Sequence, residues 1–164
     1  MMPEGLPPWL SVAYGELGQS EIRGTDDNPR IVEYHKATTL KASDDETPWC
    51  ASFVCWCLDR AGYRHTKSAR ARDFIDHESM ERLQTPRLGC IVVMTRKGGG
   101  HVGFLVDDKP NVCNLIGGNQ GDAVSIRDYP ANRAIGYFWP KPKQVKASAK
   151  EVSNGVPIDD DIRR

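Results

Sequence analysis

No sign of charge prevails in this chain. Lys and Arg together number 22 and so do Asp and Glu, so the formal net charge is zero and no global field draws the protein to nucleic acid or another acidic polymer. Long apolar runs are also missing: the longest, around Trp49 to Leu58, falls far short of the roughly 18 residues a membrane span needs, so membrane insertion is not expected. The opening "MMPEGLPPW" has neither the basic start nor the apolar middle of a signal peptide, which predicts synthesis in the cytoplasm without one. Nor is there an even cysteine framework. Cys50, Cys55, Cys57, Cys90 and Cys113 are odd in number and irregular in spacing, which fits a reduced compartment and at least one free thiol. With 164 residues and no internal repeat, one domain is expected, and its function has to lie in local groups.

Helical signals come first. "PWLSVAYGELG" places Trp9, Val12, Ala13 and Leu17 on one stripe, with Pro8 near the start and Gly18 at the end. "NPRIVEYHKA" has Asn28 as N-cap and Pro29 in the first turn. "TPWCASFVCWCLDRAG", from Thr47 to Gly62, is apolar nearly all round as far as Leu58 and reads as a buried central helix. "RHTKSARARDFI" is basic and enters a fourth short helix with Phe74 and Ile75 inward; its cations form either a solvated face or a contact with an anionic surface. The period then changes. "GCIVVMT", "VGFLVD", "NVCNLI", "AVSIRDY" and "AIGYFW" are short, β-branched or aromatic, and separated by Gly, Asp, Asn and Pro, which predicts about five strands. Helices followed by hairpin-linked strands imply an α+β domain over residues 1–140 with an antiparallel sheet, and residues 141–164 read as a flexible polar tail.

The run "DDETPWCASFVCWC" supplies the first chemical candidate. With Thr47 as N-cap, Cys50 falls at the third helical position, where N–H groups and the positive dipole end lower a thiol pKa. Cys55 and Cys57 lie deeper in the helix and read as packing residues. A base is available in "KGGGHVGFLVD", where glycines clear the space around His101; His35, His65 and His77 read as structural or solvated. A hairpin turning near Lys109 sets His101 opposite Gly117, which puts Asn119 on the same face as an orienting acceptor. A one-residue slip would replace Asn119 by Gln120 or Asp122. Nucleophile, base and orienter make a covalent-catalysis constellation. Trp49 beside the thiol reads either as a cleft wall or as packing, and Gly100 and Gly118 as open positions next to substrate.

The motifs "TPWCASFVCWCLDRAG", "SARAR", "GHVGFLV", "GGNQGDAVSIRDYP" and "GYFWP", in this order over residues 8 to 140, closely resemble a family of phage and bacterial cell-wall hydrolases related to the CHAP and NlpC/P60 cysteine peptidases. The resemblance implies a papain-like α+β fold, with the nucleophile helix packed on the antiparallel sheet. It implies peptidoglycan as substrate, cut at an amide bond by an endopeptidase or N-acetylmuramoyl-L-alanine amidase reaction. Carried onto this chain, Cys50 is the nucleophile, His101 the base and Asn119 the third member; no metal and no cofactor are implied. The backbone N–H of Cys50, aided by a side chain from Asp44 to Thr47, is the expected oxyanion donor. A monomeric phage or prophage endolysin is the implied setting, reaching the wall after release from the cytoplasm.

Other readings compete. An injected effector with the same chemistry would be paired with an immunity protein, and a silent wall-binding module would keep the fold without activity. Deamidation or transfer to an amine would keep fold and thiol. Zinc held by Cys50, Cys55 and Cys57 is disfavoured, because C-x4-C-x-C fits no common zinc spacing.

Overall fold

Three helices precede a sheet whose strands all pair antiparallel. The structure, a computed structural model, describes residues 5–22, 27–39 and 48–143. In chain order the elements are α1 (Pro8–Gly15), α2 (Pro29–His35), α3 (Cys50–Arg60), a 3-10 turn (Ala71–Phe74), β1 (Met80–Leu83), β2 (Ile91–Arg96), β3 (Gly99–Lys109), β4 (Val112–Gly117), β5 (Ser125–Pro130), a second 3-10 turn (Ala131–Arg133) and β6 (Ala134–Pro140). The strand order is β1-β6-β2-β3-β4-β5. The expected α+β architecture is therefore present, with six strands among the described residues.

Local signals explain most helix ends. Pro29 occupies the first turn of α2 and the Asn28 side chain accepts the Arg30 N–H at 2.9 Å, satisfying one of the donors a helix start leaves unpaired. In α1, Trp9, Leu10 and Ala13 are buried, but the helix ends at Gly15, so Leu17 lies beyond it and is 43% exposed. In α3 every residue from Cys50 to Leu58 is buried. The rings of Trp49, Phe53 and Trp56 pack on Tyr34 of α2 at centroid distances of 5.7, 5.1 and 4.9 Å. Each such ring stabilises the fold by about 1.5–3 kcal/mol through burial. Cys57 belongs to this core, and Cys55 lies beside Thr66 Oγ1 at 3.5 Å and the Ser68 carbonyl at 3.6 Å. Both thiols are packing residues, as expected.

The sheet is buried on both faces. Val93, Val102, Phe104 and Ile116 join the helical core, whereas Val92, Met94, Leu105, Cys113 and Leu115 form a second cluster under Tyr129, Tyr137 and Trp139. This is why "CIVVM" reads as a continuous apolar run and not an alternating one. The strand missed in the sequence is β1. Its "MERL" has no β-branched residue, and it is a strand because it borders β6, with Met80 opposite Pro140 and Leu83 opposite Tyr137. The short helix after "SARAR" is a 3-10 turn with Phe74 buried.

Register in the β3–β4 hairpin differs from the expected one. Phe104 faces Ile116 and Leu105 faces Leu115, a bulge follows at Val106, and Lys109 still pairs with Val112, so the chain reverses at 110–111 with Asn111 at φ 61°. Continuing that pairing sets Gly103, not His101, across from Gly117. At the other end of the domain, Lys141 and Pro142 remain bound: Lys141 N–H donates to Ser79 and its carbonyl accepts from Arg64 N–H. Residues 144–164 of the expected tail lie outside the described residues.

Candidate active site

Cys50 is the first residue of α3. Trp49 is the N-cap, at φ −130° and ψ 16°, and makes no side-chain cap bond. The proposed cap Thr47, like the rest of the Asp44 to Thr47 approach, lies outside the described residues. Cys50 is thus two positions nearer the helix start than the sequence suggested, and only 5% exposed. Burial pushes its thiol above the usual range, outweighing the backbone N–H groups of Val102 and Ala51 and the positive charge of Arg96, which pull it down. The expected acidic thiol is corrected here: desolvation exceeds the dipole, and Cys50 rests protonated.

Burial likewise raises the thiols of Cys55, Cys57, Cys90 and Cys113. Acidity therefore does not single out Cys50. Its position does, since it lies in the wall of a cleft of about 270 Å³ between the start of α3, the first 3-10 turn and the β2–β3 hairpin.

His101 follows the glycines of β3 and is 4% exposed. Its neighbour Val102 supplies a backbone N–H that lowers the Cys50 thiol, and the charge of Arg96 acts on both Cys50 and His101. The imidazole pKa is lowered, chiefly by burial, although the hydrogen bond it donates to Gln120 opposes the shift. That bond joins His101 Nε2 and Gln120 Oε1 at 2.9 Å. Gln120 Nε2 donates to the carbonyls of Leu115 at 3.1 Å and Ser125 at 2.8 Å. Because carbonyls only accept, the amide orientation is fixed, and Oε1 must accept from His101. His101 therefore carries its proton on Nε2, which leaves Nδ1 as a free basic nitrogen.

Against known families, the CHAP domain model matches residues 42–119. Just under half of the chain is therefore similar to a CHAP domain. Among solved structures, a wild-type endolysin, LysIME-EF1, aligns with TM-score 0.54 and 13% identity over 82% of this chain; the chain spans 63% of that one. This likeness is one of fold. No curated protein matches the chain. The CHAP match holds Cys50 and His101 and stops one residue before Gln120.

The geometry brings Gln120, not Asn119, to the imidazole. Asn119 has φ 58° and is followed by Gly121 at 70° and Asp122 at 60°, so strand alternation ends at Gly118 and the chain curls back. Gln120 closes this curl with its N–H on the Ala123 carbonyl and its own carbonyl accepting from Ser125 Oγ. Glycine at 117 is required, because a Cβ there would meet Gln120 Oε1 at 2.5 Å. The other fallback, Asp122, is exposed and holds only the Glu21 N–H through its backbone.

Two expected substrate contacts are likewise corrected. Trp49 is fully buried and its Nε1 donates to Glu21 Oε2 at 2.8 Å, so it braces the helix start from inside the core. Gly118 admits that same ring: a Cβ there would stand 2.6 Å from Trp49 and 2.8 Å from Phe53. Gly100 does line the cleft. Tyr129 was missed; its ring centroid lies 5.3 Å from that of His101 and covers the imidazole. Nothing in "SIRDYP" marks it, because the contact is made across the sheet.

The remaining histidines bind structural partners. His35 pairs with Ser52 at 2.9 Å, His77 with Ser79 at 2.8 Å, and His65 with Asp59 at 3.4 Å. Of the two readings open for His65, structural or solvated, the first fits, since its side chain is only 6% exposed.

Proposed function

We propose that the protein hydrolyses an amide bond in the peptide of peptidoglycan, with Cys50 as nucleophile, His101 as base and Gln120 as the positioning residue. The observation that carries the chemistry is the anchored Gln120 amide, which fixes the tautomer that leaves Nδ1 able to take a proton. The CHAP match and the fold shared with an endolysin support the substrate class.

His101 Nδ1 takes the Cys50 thiol proton as sulfur attacks the carbonyl carbon. The oxyanion is held at the start of α3, where the Cys50 N–H has no partner within the helix. The C–N bond breaks as the imidazolium returns that proton to the departing amine, leaving a thioester on Cys50. Water then attacks the thioester, gives a proton to Nδ1 and releases a carboxylic acid, and the proton passes back to sulfur. Two neutral partners start this cycle, in keeping with a thiol pushed up and an imidazole pushed down.

The setting we favour is a phage or prophage endolysin that meets the wall after release; an effector guarded by an immunity protein uses the same chemistry. Among the described residues no helix is long and apolar enough to cross a membrane. Digestion of purified peptidoglycan followed by mass spectrometry tests the reading. New amine and carboxyl ends are expected, and their masses distinguish an endopeptidase from an amidase. New reducing sugar ends, or no soluble fragments, would count against it.

A further inference from the structure

The cleft that exposes Cys50 is walled by cations. Arg70 and Arg72 come from the basic "SARAR" run and Arg96 from the end of β2, and these arginines are the charged side chains among its described lining residues. A chain with no net charge has here concentrated one sign beside its reactive thiol. Arg70 has a carboxylate nearby, Asp73 at 3.7 Å. Arg72 is spent on backbone: its Nη2 donates to the Gly99 carbonyl at 3.3 Å, and its Cγ stem lies 3.1 Å from where a Gly100 Cβ would be. Arg96 is exposed and has no carboxylate partner among the described residues. It lines the same cleft as Cys50, and its charge acts on both the thiol and the imidazole.

We infer that Arg96, framed by Arg70 and Arg72, is a specificity-determining residue that binds a free carboxylate of the substrate next to the scissile amide. The inference rests on the hydrolase reading above and adds the substrate class: wall peptides carrying an unamidated carboxylate close to the cut. A guanidinium presents paired donors that match a carboxylate in plane. Substrate lying in the cleft would also remove water from this pair, so the interaction is stronger there than on an open surface. The glycines at 98–100, on the same hairpin as Arg96, line the cleft without adding side chains to it.

The test compares native peptidoglycan with the same material after carbodiimide coupling to ammonia, which converts free carboxylates to amides. A charge-assisted hydrogen bond predicts that wild type cuts the native form about ten- to a hundred-fold faster. Arg96→Gln should cut the native form slower by a similar factor and lose the preference, and Arg96→Lys should recover part of it. An arginine that only tunes the thiol would slow both substrates equally and leave the ratio unchanged. An unchanged ratio in Arg96→Gln, or equal rates of wild type on both forms, overturns the inference and leaves the hydrolase reading standing. Wild type that cuts neither form overturns that reading, and the inference with it.

Discussion

His101→Ala lowers the rate of fragment release from peptidoglycan at pH 7 by about 10²- to 10⁴-fold, the range a positioned general base contributes. The loss is large because Cys50 has no acidity of its own to fall back on. Its thiol is held above the ordinary range by burial, so without Nδ1 little thiolate forms at neutral pH. The same two shifts set the pH profile. His101 works as the neutral base and its pKa is lowered, so the acid limb of kcat/KM in wild type lies below 6.5, the ordinary imidazole value. The alkaline limb lies above the ordinary thiol range, because ionisation of the thiol to bulk water leaves no proton for the departing amine. A resting thiolate–imidazolium pair would instead begin to lose rate only well below that acid limb. A pH–rate profile of wild type separates the two, and His101→Ala should lack the acid limb.

Gln120→Leu slows the same reaction by about 10²-fold, whereas Asn119→Gly changes it by less than about threefold. Leucine removes the acceptor that keeps the His101 proton on Nε2, so the tautomer with Nδ1 protonated becomes available and the base is lost for part of the time. It also leaves the Leu115 and Ser125 carbonyls without the Gln120 donor, at a stability cost of about 1–3 kcal/mol. Thermal melting should therefore show a lowered but cooperative transition. Glycine at 119 accepts the positive φ without strain, so this variant tests the Asn119 side chain alone. Equal losses in the two variants would mean that the curl after β4 matters as a loop and not through the Gln120 amide.

Cys50 and His101 were legible as the candidate nucleophile and base because each is marked locally, one by a helix start rich in Pro, Trp and apolar residues, the other by glycines before a strand. The third group was not. Choosing Gln120 over Asn119 depends on the bulge at Val106, the reversal at 110–111 and the left-handed backbone at Asn119, and no short-range signal fixes their combined effect on register. The acidity of Cys50 was misread for a related reason. Proximity to a helix N-terminus is visible in a sequence, but a thiol at 5% exposure is a property of the packed domain, and there desolvation wins. Trp49 could be read as wall or core from its neighbours alone; Tyr34, Glu21 and Gly118 decide for core. The number of strands was short by one because "MERL" acquires its strand geometry from its partner β6.

The central claim is that the Cys50 sulfur makes the attack. Its most direct test is digestion of purified peptidoglycan by wild type and by Cys50→Ala under identical conditions, with the released fragments quantified by mass spectrometry. Cys50 lies at a cleft wall, and alanine is smaller and helix-favouring, so the variant should fold and melt close to wild type. Wild type is predicted to release fragments with new amine and carboxyl ends while Cys50→Ala releases none above an enzyme-free blank. Equal release of the same fragments by both proteins would contradict the account.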